Sequence, residues 1–269
     1  QLLLACPLVL PIGWANAVTL ADEPLGTGVS SVTVKPNVAM VLDDSGSMAW
    51  GYMPNDGNSS TLCYGNKLYN TLAYDPTYTY KPPYSPTGVV PAGDPYQDNK
   101  PRYPQASFTS AKPSGFSSST GVNLSNNKPF TYGSGRSGVG YYYSIRTKNV
   151  STGATCPSNN PNSSYTAVTS SADIEAPGVT KGSAAALRNY ANWYSYYRTR
   201  INMMKAATGE AFSSVGDNYR VGLFYLHNDN SPLKIADFDP TQRDLWYTRL
   251  YGSTVDGGTP LREALSKVG

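Results

Sequence analysis

Residues 37–50 read NVAMVLDDSGSMAW. Five apolar residues in succession, Val38-Ala39-Met40-Val41-Leu42, show no alternation, the pattern of a strand buried on both faces of a parallel sheet. The run then gives way to Asp43, Asp44, Ser45, Gly46 and Ser47. Polar oxygens this dense at the end of a buried strand need a turn's amides, a proton to move or a hard cation to satisfy them. In open α/β sheets the crevice at the carboxyl ends of the strands is where ligands sit. Asp-x-Ser-x-Ser puts one carboxylate and two hydroxyls on one tight loop, and Gly46 leaves its backbone free. Hydroxyl and carboxylate oxygens suit Mg²⁺, Mn²⁺ or Ca²⁺. Two neutral hydroxyls would leave such an ion electron-poor and open to an incoming acid. The bland alternative is a strand-end turn in which Asp and Ser satisfy backbone amides.

Outward from this loop the texture changes three times. Residues 18–36 form a short polar leader. Residues 49–180 are dense in Tyr, Pro, Ser, Asn, Gly and Thr and lack a helical period; we read them as an insertion with sparse β structure of its own, partial disorder being the alternative. From residue 183 to 215, Leu187, Tyr190, Tyr194, Tyr197, Ile201 and Met204 recur every three or four positions, which predicts one long amphipathic helix with its aromatic stripe in the core. Arg188, Arg198, Arg200 and Lys205 lie mostly off that stripe. YRVGLFYL (219–226) predicts a second buried strand, and TPLREALSKVG (259–269) a helix with Pro260 near its start. Strand, helix, strand, helix predicts an α/β fold with a parallel sheet.

The composition suits an extracellular surface better than a cytosolic enzyme. Charged residues make up only 14% of 269, against 22 Tyr, 21 Pro and 25 Gly, and the net charge of +3 has no basic run to bind nucleic acid. QLLLACPLVLPIGWANA (1–17) has an apolar centre and ends in Ala15-Asn16-Ala17, the form of a secretory signal with cleavage after Ala17. A buried element or a lipoprotein box at Leu4-Ala5-Cys6 are the alternatives. No later segment is long and apolar enough for a membrane span. Cleavage would remove Cys6 and leave Cys63 and Cys156 to pair in an oxidising compartment, closing a loop of roughly 90 residues worth ~4 kcal/mol in the chain-entropy model.

DDSGSM (43–48) after NVAMVL resembles the metal-ion-dependent adhesion site (MIDAS) of von Willebrand factor A domains, and DGGTPLREAL (256–265) resembles that family's second motif. The resemblance implies a Rossmann-type parallel sheet flanked by helices over 37–269, incomplete at its C-terminus. It implies a divalent metal held by Asp43 (usually through water), Ser45, Ser47 and Thr259. The family draws a further Asp from a third loop, which this sequence does not reach. Asp44 is then an intervening residue, and Asp256 a loop residue or indirect support.

KPNVAMVLDDSGSM, NTLAYDPTYTYKPP, NYANWYSYYRTRINMMKAA and YRVGLFYL together resemble the N-terminal half of the PilC/PilY family of type IV pilus tip proteins. That implies a secreted module, in the periplasm in transit and then at the pilus tip, acting in pilus biogenesis and surface attachment. Its partners would be minor pilins and a host or abiotic surface ligand. The family's C-terminal β-propeller, with its calcium site, matches nothing here, and no function is carried over from it. Two other readings stand beside the adhesion module. One is a structural tip scaffold with a non-functional metal loop. The other is a serine hydrolase using Ser45 or Ser47 with His227, the sole histidine, although the Gly-x-Ser-x-Gly elbow is missing and His227 follows a strand as a loop residue would. A non-enzymatic role is the expectation.

Overall fold

The computed structural model describes residues 34–53, 65–126, 131–132, 136–137, 140–145, 165–227 and 232–268. The expected signal peptide (1–17), nearly all of the leader, and both Cys63 and Cys156 lie outside the described residues. The chain divides into residues 1–34 and residues 35–269, and every described strand and helix belongs to the second unit.

The strands are β1 (Asn37–Leu42), β2 (Tyr84–Val89), β3 (Thr131–Tyr132), β4 (Arg136–Ser137), β5 (Tyr142–Ile145), β6 (Tyr165–Val168), β7 (Arg220–Tyr225) and β8 (Leu233–Asp237); the helices are α1 (Ala184–Tyr196), α2 (Arg200–Phe212), α3 (Pro240–Gly252) and α4 (Leu261–Val268). The result is a mixed α/β unit with a small sheet flanked by helices, its strands in the order β1-β7-β8. β1 and β7 are parallel, in register from Asn37↔Arg220 to Leu42↔Tyr225, as the two apolar runs predict.

β8 departs from the expected parallel sheet by pairing antiparallel with β7. The connection explains it: residues 226–232 are too few for the dozen or more that a parallel crossover needs. A bulge between Val221 and Leu223 bends the pair. Gly222 sits inside it, where a Cβ would stand 2.8 Å from the Leu233 carbonyl oxygen and from Ile235. β1 also differs from the strand expected. It pairs on one side only among the described residues, and of its six residues Leu42 alone is fully buried.

The predicted long helix is two helices. Thr199, in extended backbone, caps α2 by accepting the Asn202 amide, and α1 ends at Tyr196 with Tyr197 as its C-cap. Arg200 N–H, left without a helical partner at this start, donates to the Trp50 carbonyl at 3.0 Å. Arg200 and Lys205, expected off the core stripe, are both buried. Arg200 donates Nε to the Tyr52 carbonyl at 2.8 Å with its guanidinium over the Trp50 and Tyr52 rings. The segment after the acidic loop is therefore fastened to the start of α2.

Among the described residues of the tyrosine-rich region the sheets are two-stranded, β3–β4 and β5–β6, and leave amides between residues 72 and 106 to be met elsewhere. Helix α1 does that work with buried asparagines. Asn189 accepts the Tyr80 amide at 2.7 Å and donates to the Tyr78 carbonyl at 2.9 Å. Asn192 donates to the Tyr80 carbonyl at 3.0 Å and accepts the Ala106 amide at 2.8 Å. Trp193 Nε1 donates to the Leu72 carbonyl at 3.0 Å. Around these contacts Tyr69, Tyr74, Tyr80, Tyr141, Tyr142, Tyr190 and Trp193 form one buried aromatic cluster. A second cluster, including Leu42, Val221, Leu223, Phe238, Trp246 and Leu250, joins the sheet to α3.

Candidate functional site

The acidic loop leaves β1 where the parallel strands end together. Leu226 N–H donates to the Leu42 carbonyl at 2.8 Å, one step past the β7 register. Asp43 then turns the chain: its Oδ1 accepts the Ser45 amide at 2.9 Å and the Ser45 hydroxyl at 2.6 Å. Residues Gly46–Ala49 form a single 3-10 turn. That turn brings the Ser47 hydroxyl 3.3 Å from the Ser45 hydroxyl. Asp43 and Ser47 are half-buried and Ser45 is buried.

A second loop docks on the first through its backbone. Asp256 N–H donates to the Asp44 carbonyl at 2.9 Å, and Gly46 N–H donates to the Gly257 carbonyl at 3.1 Å. Thr259 stands two residues beyond that contact, exposed, just before α4. Among the described residues its hydroxyl makes no hydrogen bond to Asp43, Ser45 or Ser47. The structure thus brings Asp43, Ser45 and Ser47 into one cluster and lays the Thr259 loop against it.

Asp44, read from the sequence as a mere spacer, is a tie between three segments. It is 1% exposed, its carboxylate accepts the His227 amide at 2.7 Å, and its carbonyl holds the second loop. Lys205 completes the support from behind. Its ammonium donates to the Tyr251 and Ser253 carbonyls at 3.0 and 2.6 Å, fixing the end of α3 and the start of the second loop. Burial pushes it down to about 8.

His227 presses its imidazole on Gly257, which has φ +61°. A Cβ there would overlap the ring, and the backbone conformation itself disfavours other residues by ~1–2 kcal/mol. Gly257→Ala is expected to lower the midpoint of thermal unfolding by several degrees, at ~2–4 °C per kcal/mol for a chain of this size. Adding His227→Ala should recover the part due to overlap and leave the part due to backbone. A Gly257→Ala protein as stable as the parent would contradict this account of the loop.

The site's chemistry follows from its donors. Among the described residues no group of three or more His, Cys, Asp or Glu side chains is placed to hold a metal. The cluster is instead rich in hydroxyls. Neighbouring ligands on one ion at right angles lie ~3.0 Å apart at magnesium's bond length and ~3.4 Å apart at calcium's. The separation of 3.3 Å between the serine hydroxyls fits such a pair. Asp43 Oδ2 is not used by the two donors bound at Oδ1. Ser45 pairs with Asp43 and Ser47, and no hydrogen bond joins the His227 ring to either serine, so the nucleophile–base contact of a serine hydrolase is not formed.

Comparison with known proteins finds similarity to a pilus biogenesis factor. It is 33% identical over 274 residues to the type IV pilus biogenesis factor PilY1 of Pseudomonas aeruginosa strain UCBPP-PA14, an alignment covering 95% of this chain and 22% of that protein. The chain is homologous to PilY1. The same factor from strain PAK is 31% identical, and that from strain PAO1 30%, again over 95% of the chain and 22% of the relative. The chain thus spans about a fifth of the length of these PilY1 relatives. No family model and no solved structure matches it. No helix among the described residues is long and apolar enough to cross a membrane.

Proposed function

We propose that this chain is a secreted, metal-dependent interaction module of a type IV pilus tip protein, acting in pilus biogenesis and surface attachment. Asp43 (through water), Ser45, Ser47 and Thr259 would hold one Mg²⁺, Mn²⁺ or Ca²⁺ at the carboxyl ends of β1 and β7. The ion would keep a position open for a carboxylate on a minor pilin or a surface ligand. The observation that carries this reading is the convergence of the two serine hydroxyls and Asp43 beside a second loop joined to Asp44 and Gly46 by two backbone hydrogen bonds. Homology to PilY1 supplies the setting. The von Willebrand factor A resemblance agrees with the parallel β1–β7 pair and with the place of the loop at its end. Export into an oxidising compartment, with a Cys63–Cys156 bridge, belongs to the same proposal.

One observation favours the scaffold alternative. Ser45 Oγ already donates to Asp43 at 2.6 Å, so the cluster closes on itself without an ion. Calorimetric titration separates the two. The module reading expects saturable uptake of at least one of the three cations, abolished by Ser47→Ala without loss of the folded circular dichroism signal. No heat at millimolar metal would leave the scaffold.

A further inference from the structure

A second concavity lies between α2 and the turn over residues 67–81. Its volume is about 690 Å³, inside the ~300–1,000 Å³ range of sites that engulf a ligand. None of Asp43, Ser45, Ser47 or Thr259 lines it. One wall is α2, where Met203, Ala207 and Ala211 recur every four residues, and both alanines are exposed. The turn supplies Tyr78, 55% exposed, its ring set edge-on to Tyr80 with centroids 4.9 Å apart. An exposed aromatic ring fixed by a neighbour, across from a helix face of small side chains, makes a slot for a flat apolar group.

The rim says which group. Lys67 pairs with Asp75 at 2.6 Å, Lys81 with Asp98 at 3.0 Å, and Glu210 with Lys100 at 3.1 Å and Arg102 at 3.0 Å. Among the described residues every charge lining the mouth is paired with another on the protein, so a charged ligand would have to disrupt an existing pair. The same rim still presents ammonium donors beside carboxylate acceptors. An amide, with one N–H and one C=O, uses both without adding charge. We propose that this cleft takes an aromatic side chain from an uncharged peptide segment of a partner protein. The ring enters between Tyr78 and the alanine face of α2, and the flanking amides meet Lys67 and Glu210.

The test uses acetyl-Gly-Phe-Gly-amide as probe and the methyl resonances of Met203, Ala207 and Ala211 as readout. Saturable shifts of these methyls are expected, and they should persist in chelator, which separates this site from the metal loop. Ala207→Glu, an exposed helix position that tolerates glutamate, should weaken the peptide by about tenfold or more while leaving the thermal midpoint in place. The same peptide with lysine or aspartate in place of phenylalanine should not bind. Three results would overturn the proposal: no saturable shift, unchanged affinity in Ala207→Glu, or phenol binding as tightly as the blocked peptide, which would assign the cleft to small aromatic molecules.

Discussion

Raising the pH past 10 is expected to unfold the protein within one to two further units. The reason is the number of tyrosines in the core. Burial raises the phenol of Tyr142 to about 12, and it raises Tyr74, Tyr80, Tyr190, Tyr196, Tyr197, Tyr247 and Tyr251 further. Six of these hydroxyls donate to backbone carbonyls, as Tyr74 does to Glu175 at 2.7 Å and Tyr247 to Gly209 at 2.8 Å, while those of Tyr80 and Tyr142 accept the Asp75 and Glu175 amides. In the six donors a phenolate would lose that bond, and in all eight it would put a charge in a dry site. Above pH 10 the unfolded chain sheds these protons and the folded chain keeps them, so stability falls as pH rises. Each group contributes ~1.4 kcal/mol per pH unit, and eight together give a slope of roughly 10 kcal/mol per unit. A domain has only ~5–15 kcal/mol to lose.

Lys205 acts in the opposite sense at lower pH. Its folded value is depressed to about 8, so between there and the ordinary lysine value the unfolded chain holds the extra proton and stability rises with pH. One amine is outweighed once the phenols begin to ionise. A stability maximum just below pH 10, followed by a cooperative collapse with simultaneous tyrosinate absorbance, is the expected profile. Tyrosinate absorbance rising gradually from pH 10 with circular dichroism unchanged would show that the rings are not buried.

Arg102→Met is expected to cost ~3–5 kcal/mol, lowering the thermal midpoint by ~10 °C. Arg102 is 1% exposed. It donates to the Pro82 carbonyl at 2.8 Å, to Glu210 on α2 at 3.0 Å, and to Asp98. Burial opposes the charge on Asp98, but Arg102 and Lys81 outweigh it and hold that carboxyl at about 2. Removing the guanidinium leaves two carboxylates and a carbonyl short of a donor. Arg102→Lys should recover only part of the loss, because one ammonium cannot span both acids. Lys35→Ala, which breaks the exposed 2.7 Å pair with Asp237, should leave the thermal midpoint nearly unchanged. Equal effects from the buried and exposed pairs would contradict this ranking.

What the sequence disclosed was local. The apolar run 38–42, the Asp-x-Ser-x-Ser turn, β7 and the Pro-led α4 are each specified by adjacent residues, and each is where it was expected. α3 was legible and missed: Asp239 caps it and Pro240 opens it, a start signal as plain as that of α4. β8 was not legible in the same way, because LKIAD is short and its direction is set by the length of the connection before it. The break between α1 and α2 hid inside an unbroken apolar stripe; Thr199 is its only local mark. The asparagines of α1 were invisible to a periodicity argument that counts them as polar, although they are buried to satisfy the backbone of a distant segment. At the site, the Asp-x-Ser-x-Ser spacing is enough to bring Asp43, Ser45 and Ser47 together, while the inward role of Asp44 depends on His227 and Asp256, far along the chain.

The central claim is that the two loops share one divalent ion, and Mn²⁺ reports on it most directly through paramagnetic broadening of amide resonances. The account predicts that substoichiometric Mn²⁺ selectively broadens Ser45, Ser47 and Thr259 together, that excess Mg²⁺ reverses it, and that Ser47→Ala removes it. Broadening absent at all three, or confined to exposed carboxylates such as Asp237 and Asp173, would contradict it.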